Sequence, residues 1–63
     1  MVKGERIEIN PDIMLGKPVI KGTRITVELI LRKLAEGATV QDVILAYPTI
    51  NASDVKAALL FSG

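Results

Sequence analysis

Thr26-Val27-Glu28-Leu29-Ile30-Leu31-Arg32-Lys33-Leu34-Ala35-Glu36-Gly37 is the stretch that decides the fold. Val27, Ile30, Leu31 and Leu34 stand at i, i+3, i+4 and i+7, which lines them up on one face of an α-helix. Thr26, just before them, offers a hydroxyl to the orphan N–H groups of the first turn. Gly37 stands where a left-handed terminator belongs. A helix of about ten residues is predicted here.

Toward the C-terminus the same punctuation occurs twice more. Thr39-Val40-Gln41-Asp42 sets a hydroxyl cap three residues before an acid that can reach back to it. Val40, Val43, Ile44 and Tyr47 then repeat the apolar spacing until Pro48 ends it. Asn51-Ala52-Ser53-Asp54 repeats the device ahead of Val55, Ala58 and Leu59, which predicts a third helix running close to the C-terminus. Toward the N-terminus the signals change. Arg6-Ile7-Glu8-Ile9 alternates polar and apolar, the period of a half-buried strand. Asn10-Pro11-Asp12 suits a single helical turn through Met14 that Gly16 would end. Pro18-Val19-Ile20 reads as a second short strand, with Pro18 at an edge or first position because it has no N–H for a ladder. Lys21-Gly22-Thr23 is the turn after it, and Gly22 is free to take positive φ.

These elements predict a mainly α, single-domain chain over 1–63, with a β element at about 5–25 and a three-helix cluster with crossed axes at about 26–62. The last two helices, separated by Tyr47-Pro48-Thr49-Ile50-Asn51, have the outline of a helix-turn-helix. With 63 residues, apolar surface burial is nearly cancelled by ordering entropy, so a domain of this size usually needs a staple. The chain has neither Cys for disulfides nor His for a metal, which leaves oligomerisation or partner binding and fits a reducing cytoplasm. Met1–Arg6 is too polar for a secretory signal and the longest apolar runs are too short to span a bilayer, so no membrane association is expected.

Eight basic against seven acidic residues give a net charge of +1, so any attraction to nucleic acid must be local. Lys17, Lys21 and Arg24 supply a local cluster around the turn, where backbone groups near Gly22 can join them in holding a phosphate. A solvated turn whose lysines protect a strand edge explains the same residues. Arg24, with its planar fork, is the better candidate for a specific contact, and Glu28 and Asp42 are its candidate partners inside the domain. A recognition helix should present polar and basic side chains from its first turns, and here Asn51, Ser53 and Lys56 are those candidates. Asp54, expected to point outward beside them, would repel phosphates, so groove reading should be weak in one copy.

Ala57, Leu60 and Phe61 lie at i, i+3 and i+4, rotated from the Val55, Ala58 and Leu59 face. One small core cannot cover both faces, which marks these three as a self-association or partner interface, extended by Leu29 or Leu45, unless the N-terminal strands fold over them. Tyr47 reads as a residue at the edge of the core. Enzyme chemistry has little to stand on. Without His or Cys there is no conventional triad, imidazole base or zinc set, and no cofactor is implied. The acid pairs Glu5 with Glu8 and Asp42 with Asp54 are better explained as surface and helix-start acids.

The string Gly16-Lys17-Pro18-Val19-Ile20-Lys21-Gly22-Thr23-Arg24-Ile25, followed by Leu34-Ala35-Glu36-Gly37, Tyr47-Pro48 and Asp54-Val55-Lys56-Ala57-Ala58-Leu59, closely resembles the small prokaryotic domain-of-unknown-function family numbered 433. The resemblance runs from Ile9 to Phe61. It implies a homeodomain-like three-helix fold with a short N-terminal β element. Members of that family are often encoded beside a PIN-like nuclease and are regarded as candidate antitoxins of type II toxin–antitoxin pairs, with relatives commonly running further along the last helix. By resemblance, the chain would neutralise such a nuclease and bind promoter DNA with it. The alternative is a protein-interaction module, a small homodimer, that never touches DNA.

Overall fold

The elements are held together by a short central strand paired on both of its sides. In the computed structural model, which describes residues 6–62, β1 (Ile7–Glu8) pairs antiparallel with β2 (Val19–Ile20), in the register Ile7 to Ile20 and Glu8 to Val19. Beyond β2 the chain reverses through a turn in which Gly22 takes φ +81°, as the Lys21-Gly22-Thr23 signal predicts. The Thr23 hydroxyl donates to the Ile20 carbonyl at 2.8 Å and accepts from the Ile25 N–H at 3.0 Å, locking the turn from inside. The returning chain then lies along the other side of β2. The Ile20 N–H donates to the Ile25 carbonyl at 2.9 Å, Val19 pairs with Thr26, and the Val27 N–H donates to the Pro18 carbonyl at 2.9 Å. Pro18 sits just ahead of the strand, where its missing N–H costs nothing. Because β2 has neighbours on both sides, the edge-protecting role expected for its flanking lysines falls away.

The link between the strands departs from its expected form. Asn10 does open a turn: its side-chain oxygen accepts from the Asp12 N–H at 2.8 Å and its carbonyl from the Ile13 N–H at 2.9 Å. The next three residues, however, form a 3-10 turn in the left-handed region, with φ of +51° at Met14, +59° at Leu15 and +84° at Gly16, instead of a right-handed helical turn. An L-residue held there costs about 1–2 kcal/mol. Leu15 recovers none of it by packing, since it is 94% exposed. The start of the β element at Glu5, and Glu5 of the acid pair, lie outside the described residues.

The three helices form where the caps place them. In α1 (Val27–Ala35) the Thr26 hydroxyl accepts from the Leu29 N–H at 3.0 Å. At its other end Gly37 (φ +107°) bonds back to the Leu34 carbonyl and Ala38 to that of Lys33, the two crossed bonds of a Schellman motif. α2 (Val40–Ala46) carries a complete capping box, Asp42 N–H to Thr39 hydroxyl and Thr39 N–H to Asp42 carboxylate. α3 (Ala52–Ser62) has the equivalent box between Asn51 and Asp54, both bonds at 3.0 Å. The fold is thus mainly α, a helix-turn-helix-like bundle with a two-stranded antiparallel element at its N-terminal end.

The core draws one or two residues from each strand and α-helix, and Ile50 from the loop before α3: Ile7, Ile20, Val27, Ile30, Val43, Ile50, Val55 and Ala58, with Val19 also fully buried. Leu31, Leu34, Ile44 and Tyr47 pack half-buried against it, as their spacing predicts. Two expected core positions are corrected. Val40 and Leu59 are 38% and 45% exposed, because α2 and α3 each contribute a narrower stripe than a full amphipathic face. With so short a β element on one side, there is no second layer to cover the flanks.

Candidate interaction site

α1 presents Glu28 and Arg32, one helical turn apart, as a wall between two recesses. On one side lies a groove of about 460 Å³ lined by Pro18, Val27, Leu31 and Phe61 together with the wall. On the other lies a cleft of about 250 Å³ whose lining includes Met14, Lys17, Arg24 and Leu29. Lys17 Nζ meets Glu28 Oε1 at 3.2 Å, so the wall's one acid is already paired. Both partners are more than half exposed, and the pair contributes at most about 1 kcal/mol. Arg24 and Arg32 are exposed and form no ion pair among the described residues. Arg24 therefore bonds to neither Glu28 nor Asp42: Lys17 holds the first, and the second is committed to the cap of α2.

The structure divides the basic cluster read from the sequence. Lys17 and Lys21 flank β2 at opposite ends, roughly 13 Å apart along an extended strand. Lys21 stands across from Arg6, its N–H donating to the Arg6 carbonyl at 2.8 Å. Lys17 and Arg24 instead share the cleft with Arg32, a residue the sequence reading passed over because it sits eight positions further along, on the helix. A helix-period count would have found it, since Glu28 and Arg32 are i, i+4 neighbours on the face next to Leu31. Arg24 also reaches a second recess with Glu8, Ile13 and Thr23, and neither recess includes a residue of α3.

At the start of α3, Asp54 is not an outward acid. It is 7% exposed, and both of its oxygens are used: Oδ1 accepts from Arg6 at 3.1 Å and Oδ2 from the Asn51 N–H at 3.0 Å. Asn51, in turn, spends its side-chain oxygen on the Asp54 N–H. The helix start thus uses the side-chain oxygen of Asn51, one of the polar groups expected to meet bases. Ser53 and Lys56 remain exposed, and Lys56 is the one cation of the helix.

Of the expected apolar interface, Leu60 is 71% exposed and Phe61 39% exposed, whereas Ala57 is half-buried against the core and adds little surface. Leu45 is 70% exposed on α2, and Leu29 is half-buried in the wall of the basic cleft. Among the described residues no group of three or more acidic side chains gathers that could hold a metal ion, and no helix is long and apolar enough to cross a membrane.

Residues 7–62 match the family described as Protein of unknown function (DUF433). The chain belongs to that family. A DUF433 member protein from Anabaena variabilis ATCC 29413, known from its crystal structure, superposes with a TM-score of 0.85 at 30% identity, over 89% of this chain and 55% of that one. The uncharacterized protein y4eO of Sinorhizobium fredii (strain NBRC 101917 / NGR234) is 31% identical over 58 residues, covering 92% of this chain. The chain spans 26% of the length of that curated relative and 55% of the solved one, so the DUF433 domain occurs within longer proteins. The family string from Gly16 to Ile25 is, in this structure, largely a folding device: a left-handed turn, a buried strand and a side-chain-locked reversal. Lys17, Lys21 and Arg24 are its exposed charged residues.

Proposed function

We propose that this DUF433 domain is an antitoxin-like adaptor whose first contact is with another protein and whose contact with DNA is secondary. A PIN-like nuclease is the candidate partner and promoter DNA the candidate second ligand, both suggested by the family resemblance, and the setting is the cytoplasm. The proposed role is binding, not catalysis. The observation that carries the reading is the apolar surface left on the last helix, with Leu60 and Phe61 exposed on a domain whose core is too small to take them in. Covering a fully exposed Leu or Phe side chain is worth about 1.5–3 kcal/mol, and Leu60 at 71% and Phe61 at 39% exposure would together recover about that much.

The charge pattern supports the order of the two contacts. A helix with one cation grips phosphate weakly, so DNA binding would need a homodimer or a complex to present two copies. Lys21 and Lys56 would then supply the phosphate contacts. The second reading, a self-associating module that does not bind DNA, is favoured by one observation: the Asn51 side-chain oxygen and the Asp54 carboxylate are spent on the cap, which leaves Ser53 and Lys56 as the polar side chains of α3 free to meet DNA. The experiment titrates the domain, with and without the protein encoded by the adjoining gene, against the DNA upstream of its own gene at several salt concentrations. A specific complex that weakens steeply with salt supports the adaptor. Partner binding without any DNA complex supports the module, and absence of both overturns the protein-first reading.

A further inference from the structure

The groove and the cleft on either side of Glu28 and Arg32 make one composite surface, half apolar and half basic. Its apolar half exposes Pro18, Leu31 and the Phe61 ring. Its polar half carries Lys17, Arg24 and Arg32 against the single acid Glu28, a local charge of three minus one, or +2. Lys17 and Glu28 satisfy each other, so the free charge resides on the two arginines. Guanidinium groups are the side chains best shaped for two-point contact with a carboxylate, and here both are exposed with no ion pair among the described residues.

We infer that this surface docks an amphipathic helical segment of a partner protein, its apolar anchors in the groove beside Phe61 and its carboxylates against Arg24 and Arg32. The inference rests on the protein-first reading and names the chemistry of the partner. Helix-in-groove docking reads anchors at i, i+3, i+4 and i+7, and the 460 Å³ groove, beside a wall one helical turn long, takes the i, i+3 and i+4 part of such a set. Charge complementarity selects among occupants. A second copy would set a +2 surface against another, and like charges brought together across an interface disfavour that pairing. Nucleic acid could meet the arginines but gains nothing from the apolar half. An acidic amphipathic helix uses both halves at once.

The test records amide chemical shifts of the whole chain while titrating a synthetic helix-forming peptide with Leu at i, i+3, i+4 and i+7 and Glu at the flanking positions, and then its Lys-for-Glu counterpart. Shifts confined to Pro18's neighbours, Arg24, Val27, Glu28, Leu31, Arg32 and Phe61, with the Glu peptide about tenfold tighter than the Lys peptide, are expected from two arginine contacts at a partly exposed site. The Arg24→Gln/Arg32→Gln double variant should erase that difference while keeping the fold, because neither side chain is part of the core. Equal affinity for the two peptides, no shift with the Glu peptide, or displacement of the peptide by duplex DNA overturns the inference. So do the same shifts appearing on concentrating the chain alone, which would assign the groove to a second copy. If the adjoining gene's protein binds the native chain and a Phe61→Ser/Arg24→Gln/Arg32→Gln variant equally well, this inference falls and the adaptor reading stands. If the Glu peptide docks as described and that protein does not bind, the adaptor reading falls and the docking chemistry stands.

Discussion

Replacing Asp54 by Ala should be the most damaging single change at a polar position, and its size follows from the two bonds the carboxylate makes. Asp54 Oδ2 accepts from the Asn51 N–H, closing the capping box of α3, and Oδ1 accepts from Arg6 of the N-terminal segment. A hydrogen bond to a charged group contributes about 1.5–3 kcal/mol when its acceptor is shielded. The acid in the first turn adds about 0.3–1 kcal/mol against the helix dipole. The ion pair adds at most about 1 kcal/mol, since the Arg6 side chain is 47% exposed. These contributions overlap, and a net cost of about 2–3 kcal/mol is expected. A chain of 63 residues has about 3–9 kcal/mol in total, so Asp54→Ala should remove a large share and lower Tm by about 10–20 °C. Asp42 is the internal control: it closes the same box on α2 with nearly the same distances, but it is exposed and has no arginine. Asp42→Ala should therefore cost only about 0.5–1 kcal/mol. The assay is urea unfolding followed by far-ultraviolet circular dichroism for both variants. If the two substitutions cost the same within about 0.5 kcal/mol, burial and the Arg6 contact contribute nothing, and the account of Asp54 as the tie between the helix cap and the N-terminal segment is wrong.

Three further outcomes can be checked by the same unfolding measurement. Gly22→Ala places an L-residue at φ +81°, where a Cβ would meet nothing within 4 Å, so only the backbone resists; about 1–2 kcal/mol of strain less the entropy a glycine loses on folding leaves a net loss of about 0.5–1 kcal/mol. Leu15→Gly runs the same arithmetic backwards at φ +59°, on a side chain that packs against nothing, and should stabilise by about 0.5–1 kcal/mol; a loss above about 1 kcal/mol would mean that the exposed leucine does structural work. Ile30, fully buried at the centre of α1, should cost about 2–5 kcal/mol on replacement by Ala, and a loss under about 1 kcal/mol would show that the core collapses around the gap.

The caps, turns and helix faces were legible in the chain because each depends on residues within four or five positions of one another. Thr26 over Leu29, Thr39 with Asp42, Asn51 with Asp54, and Gly37 with Leu34 are all local bonds, and the residue types that form them also disfavour alternatives at those positions. The left-handed turn at Met14 and Leu15 was not legible, since neither residue prefers that region and only the closing bonds to Ile13 and Met14 reveal it. Nor was the candidate site. Counting cations along the string joined Lys17, Lys21 and Arg24. The strand between the first two holds them apart, and the helix brings Arg32 to Arg24 instead.

What the sequence determined by itself is therefore the strands and α-helices, their order and the caps that bound the helices, together with the exclusion of disulfide and His-based chemistry, because those follow from residue type and short-range hydrogen bonding. What the tertiary structure decided is who meets whom across the chain: Asp54 turned inward to Arg6 from 48 positions away, Lys17 committed to Glu28, and Phe61 set beside α1 at the edge of an apolar groove. The physical reason is that such contacts depend on the angle at which packed helices and strands bring distant side chains together, and that angle is fixed by the filling of one shared core.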